Sequence, residues 1–284
     1  MKKRAKWFGG VFFLIAVAFL LLQVGSLIVQ SHYQAEYIDN GLFYIFNIII
    51  VISLGLSLLS ILSLKKMGNV ILVTIASLII IANSYLMYQS NQDIKNITSI
   101  SPDTKQIFSL KKNTNTGEAT YYRSYYRILG RPKEALPSPI DKEGDLMWLA
   151  DDIAVFTYRD KQQQMQQFVG TYGDRKDSSS YSYVGAQIYG QWEDENTAIT
   201  VNQEGITINR QLFEWDQTQQ YGTLAIVLSD NAEAKWTIAL GDDFFFDENN
   251  AEPPTGEIIL YEATTKDTEA ISLQYEGNAY SMIQ

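Results

Sequence analysis

The sequence predicts a membrane protein in which three transmembrane α-helices are followed by an extracytoplasmic all-β antiparallel domain, a sandwich or a partial propeller-like sheet. Three observations carry this. Residues 7–88 contain three long runs without a charged side chain. Beyond residue 104 the apolar residues fall into short runs rich in Ile, Val, Phe, Tyr and Thr, broken by Gly, Asn, Asp or Pro. The charge divides at the same place: six Lys or Arg stand against Glu36 and Asp39 in the first 90 residues, net +4, and sixteen against thirty acids afterwards, net −14. The mean hydropathy of −0.10 averages these two parts and describes neither.

Residues 1–6 form a basic stretch, with Lys2, Lys3, Arg4 and Lys6, expected in the cytoplasm. The region 7–89 then carries spans over about 7–30, 42–64 and 69–88. Each offers about the 20 apolar residues that a helix rising ~1.5 Å per residue needs to cross a hydrocarbon layer of ~30 Å. A secretory signal peptide is the alternative for the first run, but such a core is only about 7–15 residues long and ends in small residues at a cleavage site. This run is longer and leads into Leu27-Ile28-Val29-Gln30-Ser31-His32, so a retained anchor is the reading.

Lys65 and Lys66, between the second and third spans, fall on the side of the basic amino terminus, whereas the 31–41 link holds Glu36 and Asp39 and no Lys or Arg. Positive residues stay inside, so three crossings leave everything after about residue 90 outside the cytoplasm. Tyr33, Tyr37, Tyr44, Tyr85 and Tyr88 gather at the outer ends and Trp7 marks the inner one, where interfacial aromatics belong.

No charged side chain lies within a span, which argues against a proton relay, an ion pump or a carrier of charged substrates. The spans do hold Gln23, Asn47 and Asn83 at similar depth. An antiparallel second and third helix would also set Asn47 level with Asn83, Ser53 with Ser77 and Ser57 with Thr74. Small and polar residues at matching heights let helices approach and hydrogen-bond. Gln23, Asn47, Asn83, Ser53 and Ser77 are therefore expected as transmembrane polar contacts, and Ser53, Ser57 and Ser60 as a face for a membrane-protein partner.

Residues 90–104 are polar, carry Pro102 and read as a tether, with the β-rich domain over 105–284. The expected strands are 106–111, 119–128, 153–158, 166–172, 197–201, 205–209, 223–228, 234–240, 257–262 and 270–275. Turn signals at Asn115-Thr116-Gly117, 160–164 and Gln203-Glu204-Gly205 mark hairpins. Ser101-Pro102-Asp103-Thr104-Lys105 and Trp148-Leu149-Ala150-Asp151-Asp152, each before an apolar strand, resemble blade openings of periplasmic and WD-type propellers. The resemblance covers about forty residues, and a full ring of at least four four-stranded blades needs more strands than this chain shows. Without cysteine, packing alone must hold the domain, and Trp148, Trp192, Trp215, Trp236 and 13 tyrosines between Tyr121 and Tyr280 supply the apolar area.

Zero cysteines and one histidine exclude thiol catalysis, disulfides, iron–sulfur clusters and Cys-based zinc sites. The sole histidine, His32, lies in the 31–41 link, away from any Ser-His-Asp triad in the β domain. Phosphate loops of the Walker or dinucleotide type are absent, and no cofactor is expected. The strong negative charge makes nucleic acid a poor partner. In Tyr121-Tyr122-Arg123-Ser124-Tyr125-Tyr126-Arg127, strand alternation would put Tyr121, Arg123, Tyr125 and Arg127 on one face. Continued by Arg131 and Lys133, this stripe could bind an anionic polymer or a lipid headgroup; the simpler reading has the arginines paired with acids and the tyrosines packed. The acidic stretches 193–195, 241–243 and 247–250 offer oxygen ligands to calcium but lack EF-hand spacing, so a solvated acidic face is the commoner meaning.

These readings converge on a multi-pass cell-membrane protein that binds or senses at the envelope, or serves there as an accessory, without catalysis. Its partners would be membrane lipid, a membrane protein reached through the helices, and a wall polymer or protein ligand. A cell-envelope hydrolase acting on glycan or lipid through paired carboxylates is the alternative.

Overall fold

The computed structural model describes residues 2–62, 64–142, 144–173, 175, 182–247, 252–266 and 268–277. They form two compact units, one of Met1–Thr98 with Ser109–Ala135, the other of Ser99–Phe108 with Leu136–Gln284. The expected start of the β domain at 105 thus falls inside the second unit, and residues 109–135 belong with the helices.

The first unit opens with α1 (Lys2–Tyr33), the two-residue strand β1 (Glu36–Tyr37), α2 (Gly41–Ile61) and α3 (Lys66–Asp93). All three helices are long and apolar enough to cross a membrane. The tether expected over 90–104 is instead the last turn of α3 followed at once by β2 (Ile94–Ile100). β2 is the outermost strand of a five-stranded sheet, in the order β1-β5-β4-β3-β2, with β3 (Ile107–Asn113), β4 (Ala119–Tyr125) and β5 (Leu129–Ala135). An edge strand keeps one side unpaired, which is why a sequence as polar as Lys95-Asn96-Ile97-Thr98-Ser99 is tolerated there.

Helix packing follows small residues. Gly9, Ala16 and Gln23, seven apart on α1, are all buried, and Ser53 and Ser57 are the buried positions in the body of α2. A Cβ at Gly9 would sit 2.7 Å from Cγ1 of Ile61 and 2.9 Å from Cβ of Ser60. The serine face expected to meet another protein is therefore occupied by α1 of the same chain. Backbones this close gain dispersion contacts that lipid tails would otherwise supply.

The second unit contains β6 (Asp145–Ala150), β7 (Ile153–Arg159) and β8 (Met165–Thr171), which form a three-stranded antiparallel sheet. After the single turn α4 (Val184–Gln187) come nine strands: β9 (Gly190–Glu193), β10 (Ala198–Val201), β11 (Gly205–Ile208), β12 (Gln211–Glu214), β13 (Thr218–Tyr221), β14 (Ala225–Asp230), β15 (Glu233–Leu240), β16 (Glu257–Glu262) and β17 (Ile271–Gly277). They pair antiparallel in the order β12-β11-β10-β9-β17-β16-β15-β14-β13, a nearly closed barrel. Neither a sandwich nor propeller blades result, because β17 returns to pair with β9 and draws one sheet round on itself. The two edges, β12 and β13, are joined only by the 3₁₀ turn Trp215–Gln217, whose capping box bonds the Glu214 amide to Oε1 of Gln217 at 2.9 Å.

Aromatic packing holds this unit without disulfides. Phe108 lies 6.3 Å from Phe156 and 6.4 Å from Phe168, and Phe168 meets Tyr221 edge-on at 5.5 Å. Trp192, fully buried, donates its indole N–H to Ile188 O at 2.8 Å and stacks edge-on with Tyr275 at 5.3 Å. Gln167, also buried, accepts from Thr237 Oγ1 at 2.8 Å and donates to Thr157 Oγ1 at 3.1 Å, so a polar side chain between β7, β8 and β15 is bonded through both its oxygen and its nitrogen.

Gly9→Leu is expected to destabilise the helix pair by about 1–3 kcal/mol through overpacking, read as a lowered melting temperature in detergent. Gly10→Leu, where nothing lies within 4 Å of the added Cβ, should leave melting unchanged.

Candidate functional site

In the first unit, a chain of hydrogen bonds crosses the helices. Gln23 Nε2 donates to Asn47 Oδ1 at 2.9 Å and to Phe43 O at 2.8 Å, and Asn47 Nδ2 donates to Asn83 Oδ1 at 3.3 Å. Tyr37 Oη, from the link between α1 and α2, donates to Gln23 Oε1 at 2.9 Å. The structure therefore brings Gln23, Asn47 and Asn83 together. Ser53 and Ser77 are not joined: Ser53 is buried, Ser77 is exposed, and no hydrogen bond links them among the described residues.

The chain continues upward from Tyr37 to a residue that sequence reasoning did not single out. Lys111 of β3, only 5% exposed, donates its ammonium to Glu36 Oε1, Tyr37 O and Asn40 Oδ1, each at 2.7 Å. Its Nζ also lies 4.6 Å from the centre of the Tyr122 ring. Burial pushes the Lys111 ammonium down from its ordinary pKa, and the Glu36 carboxylate opposes that shift. Burial likewise pushes the Tyr122 and Tyr37 hydroxyls up. Gly130 on β5 leaves room for Tyr122 and Ile38, since a Cβ there would lie 3.3 Å and 3.5 Å from them. One face of the sheet, with Ser109, Lys111, Tyr122 and Gly130, is thus pinned to the link 36–40. In the pair Lys111-Lys112 nothing in the sequence marks which lysine is buried; only the acids Glu36 and Asp39 in the link could have hinted at a cation waiting for them.

The stripe expected from Tyr121 to Arg127 is partly assembled. Arg123 and Tyr125 alternate with Tyr122 and so lie on the face turned away from the link, and the register sets Arg131 opposite Arg123. Tyr121 is 2% exposed and belongs to the core. Arg127 is not on the strand: β4 ends at Tyr125, and Tyr126 and Arg127, at φ 51° and 64°, open the three-residue turn 126–128 that leads to β5 at Leu129.

The Ser101–Lys105 segment is a tight turn capped by Asp103, which accepts from Ser101 Oγ at 2.6 Å and from the Lys105 amide at 3.0 Å. The Lys105 ammonium, together with Ser101, holds the Asp103 carboxyl down at about 2. Asp103 lines a cavity of about 310 Å³ with Asp151, Asp152, Tyr172, Arg175 and Asp242. Arg175 forks onto Asp152, bonds Leu240 O at 3.1 Å and lies 3.5 Å from Asp242. Burial pushes the Asp242 carboxyl up, against a hydrogen bond from the Asp151 amide at 3.2 Å.

Of the acidic stretches, Asp194 caps the β9–β10 turn by accepting from the amides of Asn196 and Thr197 at 2.9 and 2.6 Å. Asp243 accepts from the Glu257 amide at 3.2 Å, while 248–250 lie outside the described residues. Among the described residues no group of three or more His, Asp or Glu is gathered as metal ligands.

The site of most distinctive chemistry is at the seam of the barrel, beside the turn that joins β12 to β13. A groove of about 500 Å³ is walled by Trp215, Tyr183 and Tyr189, floored by Gly185 and Ala186, and edged by Asn202, Gln203, Thr218 and Gln220. Among the described residues no carboxylate or cationic side chain lines it. Trp215 is held by its indole N–H, shared between Asn202 O at 3.2 Å and Gln203 O at 3.1 Å. A Cβ on Gly185 would come within 2.5 Å of the Trp215 ring, so only glycine lets the indole lie down on α4. Gln220 is fixed too: its Oε1 accepts from the Val184 amide at 3.1 Å and its Nε2 donates to Ser182 O and Gly222 O. Trp215 is 37% exposed and Tyr183 67%. Sequence reasoning counted these aromatics as core. The missed signal was Glu214-Trp215-Asp216-Gln217, a tryptophan between polar residues in a turn.

No protein-family model, curated protein or solved structure matches the chain.

Lys111→Met should cost about 3–5 kcal/mol, since it strands Glu36 and two other acceptors without their cation. Adding Glu36→Gln should recover part of the loss, and a double-mutant cycle on melting in detergent measures the coupling.

Proposed function

We propose that the protein is a multi-pass cell-membrane protein, with its amino terminus in the cytoplasm and its β-rich regions outside, that binds a neutral glycan of the envelope at the barrel seam. The observation that carries this reading is the uncharged aromatic groove in a part of the chain that is otherwise strongly acidic. The Trp215 ring, fixed by its indole hydrogen bonds, and the rings of Tyr183 and Tyr189 offer surface to the C–H faces of a sugar, while Asn202, Gln203 and Thr218 edge the groove with amide and hydroxyl groups that can pair with sugar hydroxyls. A charged peptide or a polyanion would find no counter-charge among the described residues that line it. The apolar runs and the distribution of Lys and Arg support the membrane placement and its orientation.

The test is titration of the full chain, in detergent, with soluble cell-wall glycan fragments, followed by calorimetry. Tyr183→Ala should weaken binding about tenfold, the equivalent of ~1.4 kcal/mol, and Trp215→Leu at least as much. Binding that survives both substitutions removes the groove from the reading.

A second reading, an envelope hydrolase acting through paired carboxylates, is favoured by one observation. Asp242, with its raised pKa, shares a cavity with Asp151 and Asp152, the arrangement that separates an acid from a base. If it holds, Asp242→Asn abolishes turnover of glycan fragments and leaves groove binding intact. Absence of turnover by the unaltered protein counts against it.

A further inference from the structure

The first unit contains a second pocket, of about 360 Å³, between the last turns of α1, the link to α2, the first turn of α2 and the end of α3. Its lining combines Glu36, Tyr37 and Tyr44 with Gln30, Asn40 and Ser90. These sit at the helix ends that carry the exposed rings of Tyr33, Tyr85 and Tyr88. With the membrane placement proposed above, on which this inference rests, that is the headgroup layer of the outer leaflet.

We propose that this pocket holds the ammonium headgroup of a zwitterionic phospholipid, of the phosphatidylethanolamine type. Charge decides the class of ligand. Glu36 lines the pocket and Asp39 stands three residues on, two carboxylates of which the Lys111 ammonium, bridged to Glu36, offsets one, and no Lys or Arg lines the pocket among the described residues. The nearby cation, Lys111, already donates to three acceptors and is buried. An ammonium group therefore meets a net negative charge beside the aromatic side chain of Tyr44, which lines the pocket with Tyr37, the setting in which a cation–π contact forms. A purely anionic headgroup meets the same field as repulsion.

The remaining polar groups suit the rest of the headgroup. Asn40 turns its Oδ1 to Lys111, which leaves its Nδ2 as a donor, and Gln30 and Ser90 add an amide and a hydroxyl for phosphate or ester oxygens. Leu27 and Phe43 line the pocket alongside them and offer apolar surface to the acyl chains. The site is thus graded from charged to apolar as a phospholipid is.

The experiment reconstitutes the full chain in nanodiscs of equal parts phosphatidylethanolamine and phosphatidylglycerol, then counts retained lipids by native mass spectrometry. The expected result is about two- to fivefold enrichment of phosphatidylethanolamine in the first retained lipid, the range a cation–π contact of this exposure supplies. The enrichment should vanish for an N-acylated headgroup, which lacks the ammonium charge, and in Tyr44→Leu with Gln30→Leu. That variant leaves the Lys111 contacts in place, and its melting temperature checks that it is folded. Equal retention of the two lipids, or enrichment that persists in the folded variant, overturns the proposal. Failure of the membrane placement shows separately, as release of the protein from native membranes by alkaline washing.

Discussion

A polar group removed from water must find its partner within the chain, and in a protein with no cysteine this constraint governs where the elements can go. Lys111 is the plainest case. Its ammonium is buried on β3 and is neutralised only if the link between α1 and α2 folds over it and presents Glu36, Tyr37 O and Asn40 together. The link can do so only where β1 pairs with β5, Glu36 opposite Gly130 and Tyr37 opposite Leu129. That pairing in turn aims Tyr37 down at Gln23, and through it at Asn47 and Asn83. One buried charge thereby fixes a strand register, a loop and the rotational setting of helices.

The second unit meets the same constraint by a different route. Nine strands hydrogen-bonded in sequence leave only two unpaired edges, and Gln167, Trp192 and Trp215 use their side-chain donors on acceptors that would otherwise be stranded. Where pairing stops, aromatic surface accumulates instead, and there the uncharged groove lies. Fold and candidate site are thus two results of how the sheet ends.

The sequence made part of this legible. The helices and the strands over β3, β4, β7, β8, β10, β11 and β14 to β17 were readable from runs of apolar and β-branched residues. The strands that escaped notice, β6 (Asp145–Ala150) among them, did so for more than one reason. β2 and β13, Ile-Lys-Asn-Ile-Thr-Ser-Ile and Thr-Gln-Gln-Tyr, are sheet edges with little apolar surface to bury. β5 contains Pro132, and β9 and β12 are four residues long. β1 exists only as a partner for β5. The hairpin between β4 and β5 was hidden for another reason: Tyr126 and Arg127 adopt positive φ where Asn-Gly would announce a turn. The amide network among the helices could be anticipated from depth alone, because Gln23, Asn47 and Asn83 lie at similar distances from corresponding ends of their apolar runs. Lys111 and Trp215 could not, since what matters about them is which distant segment comes to rest against the side chain.

The split in the barrel has a mechanical consequence. A cylinder whose strands all have two bonded neighbours has a fixed girth, because widening it anywhere breaks a ladder of hydrogen bonds. Here the circumference is interrupted, and three residues at one end are the whole of the covalent bridge between its lips. The lips can spread about that bridge like the jaws of a clip, at the cost of side-chain contacts rather than backbone ladders.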